Sequence, residues 1–139
     1  MQDFSLKLES GSVDFSFDCK KSDNFYFHIV IDGPGDVSIC RDMSCCFSRK
    51  DIERLLLYFE THIQTLGRSQ GYESYVFVPQ QLDLQIQALS GSVESSTDGY
   101  FSVRCMLNCR PDGYWGVEGV LDLLDLSDFT NNLKLFLVD

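Results

Sequence analysis

The sequence predicts an α+β fold, in which an antiparallel β-meander sheet packs two helices on one face. Composition is the first reason, because the chain contains eleven Phe and six Tyr, and aromatic side chains favour strands. Patterning is the second, because apolar and polar residues alternate over most of the chain while two segments have a helical period. At 139 residues the chain can bury one hydrophobic core. We therefore expect residues 1–139 to form a single domain.

Four strands are predicted in the first half, where apolar side chains recur at every second position. The four segments are Phe4–Leu8, Val13–Cys19, Phe25–Ile31 and Val37–Cys40. Turns that contain glycine separate them, at Gly11 between the first two and at residues 32–36 before the last. Consecutive strands joined in this way predict a meander.

The segment after these strands predicts a long helix. Ser48 and Asp51 have the spacing of a capping box, in which a hydroxyl and a carboxylate bind free amides of the first turn. Apolar residues then follow at helical spacing along one stripe: Ile52, Leu55, Leu56, Phe59, Ile63 and Leu66. Gly67 is expected to end the helix.

The second half repeats this pattern of strands followed by a helix. Its predicted strands are Tyr75–Val78, Leu82–Ala88, Phe101–Cys109 and Tyr114–Leu124. A final short helix is predicted from Asp125, with these residues on its buried side: Phe129, Leu133, Phe136 and Leu137. The pattern predicts an internal duplication, ββββα twice, with halves at residues 1–67 and 72–139.

The two halves align when Ser48 is placed on Asp125, which also places Phe59 on Phe136. One helix is too small to cover a sheet face alone, so we expect both halves to share one core. Convergent patterning at strand-to-helix junctions is the alternative explanation of the match.

The charge of the chain argues against some classes of partner. Its formal net charge is −10, divided as −3 up to Gln70 and −7 beyond it. Such a surface repels nucleic-acid phosphates and anionic membranes and attracts basic proteins. No apolar run approaches the roughly 20 residues of a membrane span, and residues 1–7 lack the features of a secretory signal. We therefore expect a cytoplasmic protein whose partner is a basic protein, not nucleic acid or membrane.

The sequence contains no motif for catalysis or for a cofactor. Its six cysteines, at positions 19, 40, 45, 46, 105 and 109, lack the paired spacing of a zinc site, so buried free thiols in a reducing compartment are expected. His28 and His62 have no nucleophile at a recognisable spacing. The presence of His28 is explained by a solvent-facing position on a strand, and that of His62 by the favourable dipole at a helix C-terminus. We assign no catalytic residue, metal or cofactor.

A polar sheet face remains as the candidate site. If the helices cover one face of the sheet, the other face is partly exposed to water. The candidate partner-binding residues on this face are Asp14, Asp18, Tyr26, Asp83, Arg104, Glu118 and Asp122. A mostly acidic face with an aromatic side chain suits the recognition of a basic protein, and an ordinary polar sheet surface is the alternative.

The order of these parts resembles that of a known family. An opening meander leads into the helix from Ser48 to Leu66, an alternating strand follows at residues 82–88, and a long strand from Tyr114 runs into an Asp-led helix at Asp125. This plan resembles the WapI-type bacterial immunity proteins over nearly the whole chain. The resemblance implies a small, acidic, intracellular protein that protects its producing cell by binding and neutralising a toxin domain, often a nuclease. The resemblance gives no catalytic residues to assign to this chain.

Two other functions stay open on the sequence. A structural or regulatory subunit would associate with itself or with a larger complex through a sheet face or an edge strand. An enzyme with an unrecognised pocket would draw on Cys45, Cys46 and His28. The oligomeric state is not set by any of these patterns.

Overall fold

The computed structural model describes residues 3–33, 40–68, 73–109 and 113–138. Within these ranges the chain forms seven strands and two helices, in the order β1 (Phe4–Leu8), β2 (Gly11–Lys21), β3 (Asn24–Asp32), β4 (Cys40–Ser48), α1 (Arg49–Gly67), β5 (Leu84–Val93), β6 (Gly99–Asn108), β7 (Tyr114–Asp122) and α2 (Leu123–Leu135). The α+β class predicted from the sequence is confirmed.

The strands are divided between two antiparallel sheets. The first sheet has the order β1-β2-β3-β4 and the second has the order β5-β6-β7. Each sheet is a meander, as the alternating sequence predicts, but the strands form two sheets and not the single sheet that we expected. The chain leaves the first sheet at Ser48 to form α1, and it starts the second sheet only at Leu84. Of the predicted strand Val37–Cys40, only Cys40 lies within the described residues, where it begins β4.

The predicted strand Tyr75–Val78 is wrong. Phe77 makes a single antiparallel bridge with Ile86 of β5, and the rest of this segment forms no ladder. Side chains of α1 bind two of its main-chain carbonyls, since the Tyr58 hydroxyl donates to Tyr75 O at 2.7 Å and Arg54 Nη2 donates to Val78 O at 2.9 Å. We call residues 74–80 the strap, because they run along the outer edge of β5 beside α1.

The start and end of α1 agree with the sequence. The Ser48 hydroxyl accepts from Asp51 N at 3.0 Å, and the Asp51 carboxylate accepts from Ser48 N at 2.9 Å, which completes the predicted capping box. The helix ends at Gly67.

The second helix begins earlier than predicted. Its N-cap is Asp122, whose carboxylate accepts from Leu124 N at 2.8 Å. The predicted cap, Asp125, lies inside the first turn. The reason is burial, because Leu123 and Leu126 are both covered by the core and a helix that starts at Leu123 places them on one side. The strand β7 therefore ends at Asp122 and does not reach Leu124.

The correct cap changes the alignment of the two halves. Ser48 corresponds to Asp122, not to Asp125, so the shift between the halves is shorter than the sequence pattern predicts. With this alignment, β4 falls on β7 from end to end. The buried residues of α1, Ile52, Leu55 and Phe59, then fall on buried residues of α2, which are Leu126, Phe129 and Leu133.

Both halves contribute to one hydrophobic core. Phe129 of α2 lies at its centre, with ring centroids 5.6 Å from Phe4, 5.3 Å from Phe15 and 6.3 Å from Phe59. These rings come from β1, β2 and α1, so one side chain joins the first sheet to both helices. Within the described residues, neither helix has the length and hydropathy needed to cross a bilayer.

The turn between β2 and β3 contains one strained residue. Lys21 pairs with Asn24, so the turn has two residues, and Ser22 has a φ of 56°. Two-residue turns of this kind favour glycine where φ is positive. We expect S22G to raise the free energy of unfolding by about 0.5–1 kcal/mol, because the left-handed conformation costs an L-residue about 1–2 kcal/mol.

Urea denaturation of S22G checks this expectation, and S12G is the matched control. Ser12 lies inside β2, where glycine lowers stability by about 0.5–1 kcal/mol. An S22G variant that is no more stable than the wild type would contradict the assignment of strain to Ser22.

Candidate functional site

The predicted site residues do not lie on one continuous face. Asp14 and Tyr26 are on the outer face of the first sheet, because they alternate with the buried residues of β2 and β3. Arg104 and Glu118 are paired across β6 and β7, on the outer face of the second sheet. Asp122 caps α2. The division into two sheets separates residues that a single sheet would bring together.

Several of these charged groups are already bound within the chain. The Ser5 hydroxyl donates to the Asp14 carboxylate at 2.6 Å. Arg104 Nε donates to Glu118 Oε1 at 2.8 Å, so these two charges offset each other at the surface. The Asp122 carboxylate holds the first turn of α2. These three carboxylates therefore have structural roles as well as their charge.

The remaining predicted residues lie apart from these. Asp18 is exposed at the irregularity in register between Phe17 and Cys19. Tyr26 stands between Cys19 and Cys46 across three strands, and the Cys46 thiol beside it raises the pKa of Tyr26. Asp83 is half-buried just before β5.

An acidic groove lies along α2. Two adjoining clefts of about 350 and 330 Å³ share Asp125 and run between α2 and the first strand. The residues that line them are Asp3, Phe4, Ser5, Lys7, Leu8, Glu9, Tyr100, Val120, Asp122, Asp125, Asp128, Asn131 and Asn132. We call this the α2 groove. It contains five carboxylates and one lysine, so it has a strong net negative charge.

Local structure explains why these charges meet. Asp122, Asp125 and Asp128 follow one another at every third position, which places them along one side of the first turns of α2. The helix dipole favours negative charge at this end. Glu9 joins them because its amide donates to Val120 O of β7 at 2.9 Å, which fixes the turn between β1 and β2 beside the helix.

Of the carboxylates in the α2 groove, Asp122 alone is among the site residues that the sequence predicts. The i, i+3, i+6 spacing of aspartates was available as a signal. The misplaced helix cap concealed it, because a helix that begins at Asp125 leaves Asp122 on a strand.

His62 is a second residue whose role the sequence did not show. The explanation as a C-terminal helix residue favoured by the dipole does not fit its burial, since it is 1% exposed. Its Nδ1 lies 2.8 Å from Ser74 Oγ, and its Nε2 lies 2.7 Å from Leu89 O. Burial lowers the pKa of His62, so the neutral ring joins α1 to the strap and to β5. The sequence did contain a signal for this burial. His62 follows Phe59 of the apolar stripe by three residues, which places both side chains on the same side of the helix.

The thiols are free, as predicted, at the five cysteines whose side chains the structure describes: Cys19, Cys45, Cys46, Cys105 and Cys109. Burial raises the pKa of Cys45 and of Cys105 to about 12, so both are protonated near neutral pH and are weak nucleophiles. His28 lies on the outer face of β3, 3.5 Å from Asp42. It is paired with Ser44, so Cys45 points to the opposite face. The trio considered for an enzyme is therefore not brought together.

None of the described residues forms a group of three or more His, Cys, Asp or Glu side chains placed to hold a metal ion. The side chains of Cys40 and Arg41 lie outside that description.

Comparison with known proteins finds a likeness in structure but not in sequence. No protein-family model matches the chain, and no curated protein matches it. Among solved structures, the chain is similar to MRP1/MRP2 of Trypanosoma brucei, with a TM-score of 0.48 and 10% sequence identity. The match covers 98% of this chain and 82% of that one.

Proposed function

We propose that this chain is an immunity-like protein, which binds and neutralises a basic toxin domain inside the producing cell. The α2 groove carries the proposal, because it gathers five of the chain's carboxylates beside a single lysine. The overall charge of −10 acts in the same direction. The proposed partner is therefore a protein domain with lysine and arginine on its binding face.

The chemistry of the groove suits an inhibitor that must bind quickly. Negative charge concentrated in a concave surface attracts a basic partner before contact, which raises the association rate. Such steering weakens as salt is added, because ions screen exposed charges over about 10 Å at 0.1 M. A toxin inhibitor gains from rapid capture, since toxin that is still free continues to act.

Capture from the native cells, followed by a toxicity assay, tests the proposal. Tagged protein is used to isolate partners at low and at high salt from cells grown alone and in competition, and each stoichiometric partner is then purified. We expect a basic domain that is toxic alone and inactive in a 1:1 complex. The absence of a basic partner under both growth conditions, or a partner that remains active in the complex, would contradict the function.

Neutralisation of the groove's charge tests its role. We expect the variant D125N/D128N to bind such a partner with an association rate about tenfold lower at low salt, because electrostatic steering contributes this much or more. Asp122 is left intact, since it caps α2. The matched control is E94Q/D98N, which removes two exposed charges from the loop after β5. Equal association rates for the two variants would contradict the role of the groove.

A further inference from the structure

The pairing between the strap and β5 is interrupted by a side chain of α1. Phe77 N donates to Ile86 O at 2.7 Å, and Ile86 N donates to Phe77 O at 2.9 Å. In an antiparallel ladder the next pair that is bonded twice lies two residues along each strand, which here is Tyr75 with Ala88. At that place Ala88 N donates to the Tyr58 hydroxyl at 2.9 Å, and this hydroxyl donates to Tyr75 O at 2.7 Å. The hydroxyl therefore occupies the position of a direct main-chain hydrogen bond.

His62 is inserted between the same two segments, one turn farther along α1. Its Nε2 lies 2.7 Å from Leu89 O, and its Nδ1 lies 2.8 Å from Ser74 Oγ. A carbonyl oxygen can only accept, so the proton of the neutral ring is assigned to Nε2, and Nδ1 accepts from the Ser74 hydroxyl. Ser74 N in turn donates to Ala88 O at 2.9 Å. We call the two inserted side chains the Tyr58–His62 pair.

The ring of His62 is packed against apolar groups and not against charged ones. It is 1% exposed, and its centre lies 4.6 Å from that of the Phe101 ring of β6. The residues of β5 include no titratable group. The titratable or charged residues nearest to the ring on α1, on β6 and before the strap are Tyr58, Tyr100, Arg104, Cys105 and Glu73.

These groups do not supply a counter-ion to a charged ring. Tyr100 and Arg104 alternate with Phe101, so they lie on the opposite face of β6. Burial raises the pKa of Tyr58 and of Cys105 to about 12, so both are neutral near pH 7. The side chain of Glu73 is exposed. A proton on the ring would therefore place a charge in an apolar site without an ionic partner, which is costly.

Protonation also changes the hydrogen bonds of the ring. Both nitrogens of an imidazolium are donors, so Nδ1 no longer accepts from the Ser74 hydroxyl. The start of the strap is the thinnest cover of the ring, because Glu73, Tyr75 and Val76 are exposed whereas Phe101 belongs to the core. Water therefore reaches a charged ring most directly by displacement of residues 73–76.

We propose that the Tyr58–His62 pair is a pH-sensitive switch, which holds residues 73–76 closed at neutral pH and releases them when His62 takes up a proton. The Phe77–Ile86 pair stays closed and acts as the hinge point. Opening frees the main-chain groups of Ala88 and Leu89 at the outer edge of the second sheet. The switch is separate from the binding of a toxin, so each can fail without the other.

The direction of the pH dependence follows from the two states of the ring. Burial holds the pKa of His62 below its usual value in the closed form, whereas a ring exposed to water has a pKa of about 6.5. The open form therefore binds the proton more tightly. The opening constant should rise as pH falls below about 6.5, by about tenfold per pH unit, until the closed form is protonated as well.

Amide hydrogen exchange of the intact chain between pH 7.5 and pH 5, followed by NMR, tests the switch. After correction for the intrinsic rates, we expect the protection of the Ser74 amide to fall by about tenfold per pH unit below about pH 6.5. The amides of Phe77 and of the first sheet should keep their protection. Constant protection at Ser74, or an equal loss in the first sheet, would overturn the proposal.

The two histidines of the chain provide a matched pair of variants. H62Q keeps a polar side chain that takes up no proton, so it should remove the pH dependence of the Ser74 amide. H28Q makes the same change at an exposed position of β3 and should retain it. A pH dependence that persists in H62Q, or that is lost in H28Q, would overturn the assignment to His62.

The variant S74A keeps the proposal testable if H62Q folds poorly. It retains the ring and removes the hydroxyl that Nδ1 accepts from, so opening should increase about fivefold at neutral pH, as expected for one lost hydrogen bond. The amide at position 74 should still lose protection with falling pH, because the proton is bound by His62. Protection in S74A that does not change with pH would overturn the switch.

Discussion

Replacement of Phe129 by alanine is expected to lower the free energy of unfolding by about 3–5 kcal/mol, the usual cost of deleting a buried phenylalanine ring. Phe129 is fully buried, and its ring contacts Phe4, Phe15 and Phe59. The cavity therefore opens where β1, β2 and α1 meet α2. A domain of this kind has about 5–15 kcal/mol in total, so the variant should lie near the limit of folding.

Urea denaturation followed by circular dichroism and by tryptophan fluorescence measures the loss. The control is F129L, which keeps most of the volume and should cost about 1.5 kcal/mol or less. We expect a single transition by both probes, because both halves contribute to one core. A loss in F129A no larger than that in F129L, or separate transitions for the two halves, would contradict the central role of this ring.

Replacement of Asp51 by alanine is expected to cost about 2–4 kcal/mol, because its removal leaves three donors without their acceptor at the start of α1. These donors are Ser48 N, Arg54 and Gln80 N. The variant should also loosen the strap, which hydrogen exchange at Phe77 would report. The matched control is D125A, the counterpart in α2, which should cost about 1 kcal/mol or less because Asp125 is only half-buried. Equal losses in the two variants would contradict the role of Asp51.

Ionisation of the Asp51 carboxyl should also make the free energy of unfolding depend on pH. Burial alone would raise the pKa of Asp51, but hydrogen bonds from Arg54, Ser48 and Gln80 outweigh it and hold the pKa below its usual value. A carboxyl whose pKa is lowered by folding adds stability above its unfolded pKa of about 3.9, and this stability is lost as pH falls through the folded value. The wild type should therefore lose more stability than D51N between pH 5 and pH 2. Parallel acid curves for the two proteins would contradict this.

Much of the fold could be predicted because local patterns determine it. Alternation in Phe4–Leu8 specifies which side of the strand is buried, and the capping box at Ser48 specifies where α1 begins. The strap could not be predicted, because its apolar alternation is that of a strand while the carbonyls of Tyr75 and Val78 are bound by side chains of the preceding helix. The cap at Asp122 was missed because Asp122 and Asp125 both have the residue type of an N-cap.

The candidate site was less predictable than the fold. Alternation places Asp14 and Glu118 on outer faces, but it contains no information on which sheet each face belongs to. The α2 groove arises between β1 and α2, which lie far apart in the sequence. Such proximity depends on the packing of the whole chain, so the spacing of Asp122, Asp125 and Asp128 was the one part of the site that the sequence displayed.

Each helix packs against a strand of the other half, and this arrangement has a consequence for synthesis on the ribosome. The helix of the first half lies against β5 of the second half, and the helix of the second half lies against β1. Each helix also contacts strands of its own half, but α2 covers β1, which is translated much earlier than α2. Contacts of such long range also slow folding. The nascent chain therefore keeps Phe4 and Phe15 without their contacts to Phe129 until α2 has emerged, and the α2 groove forms only when α2 packs against β1.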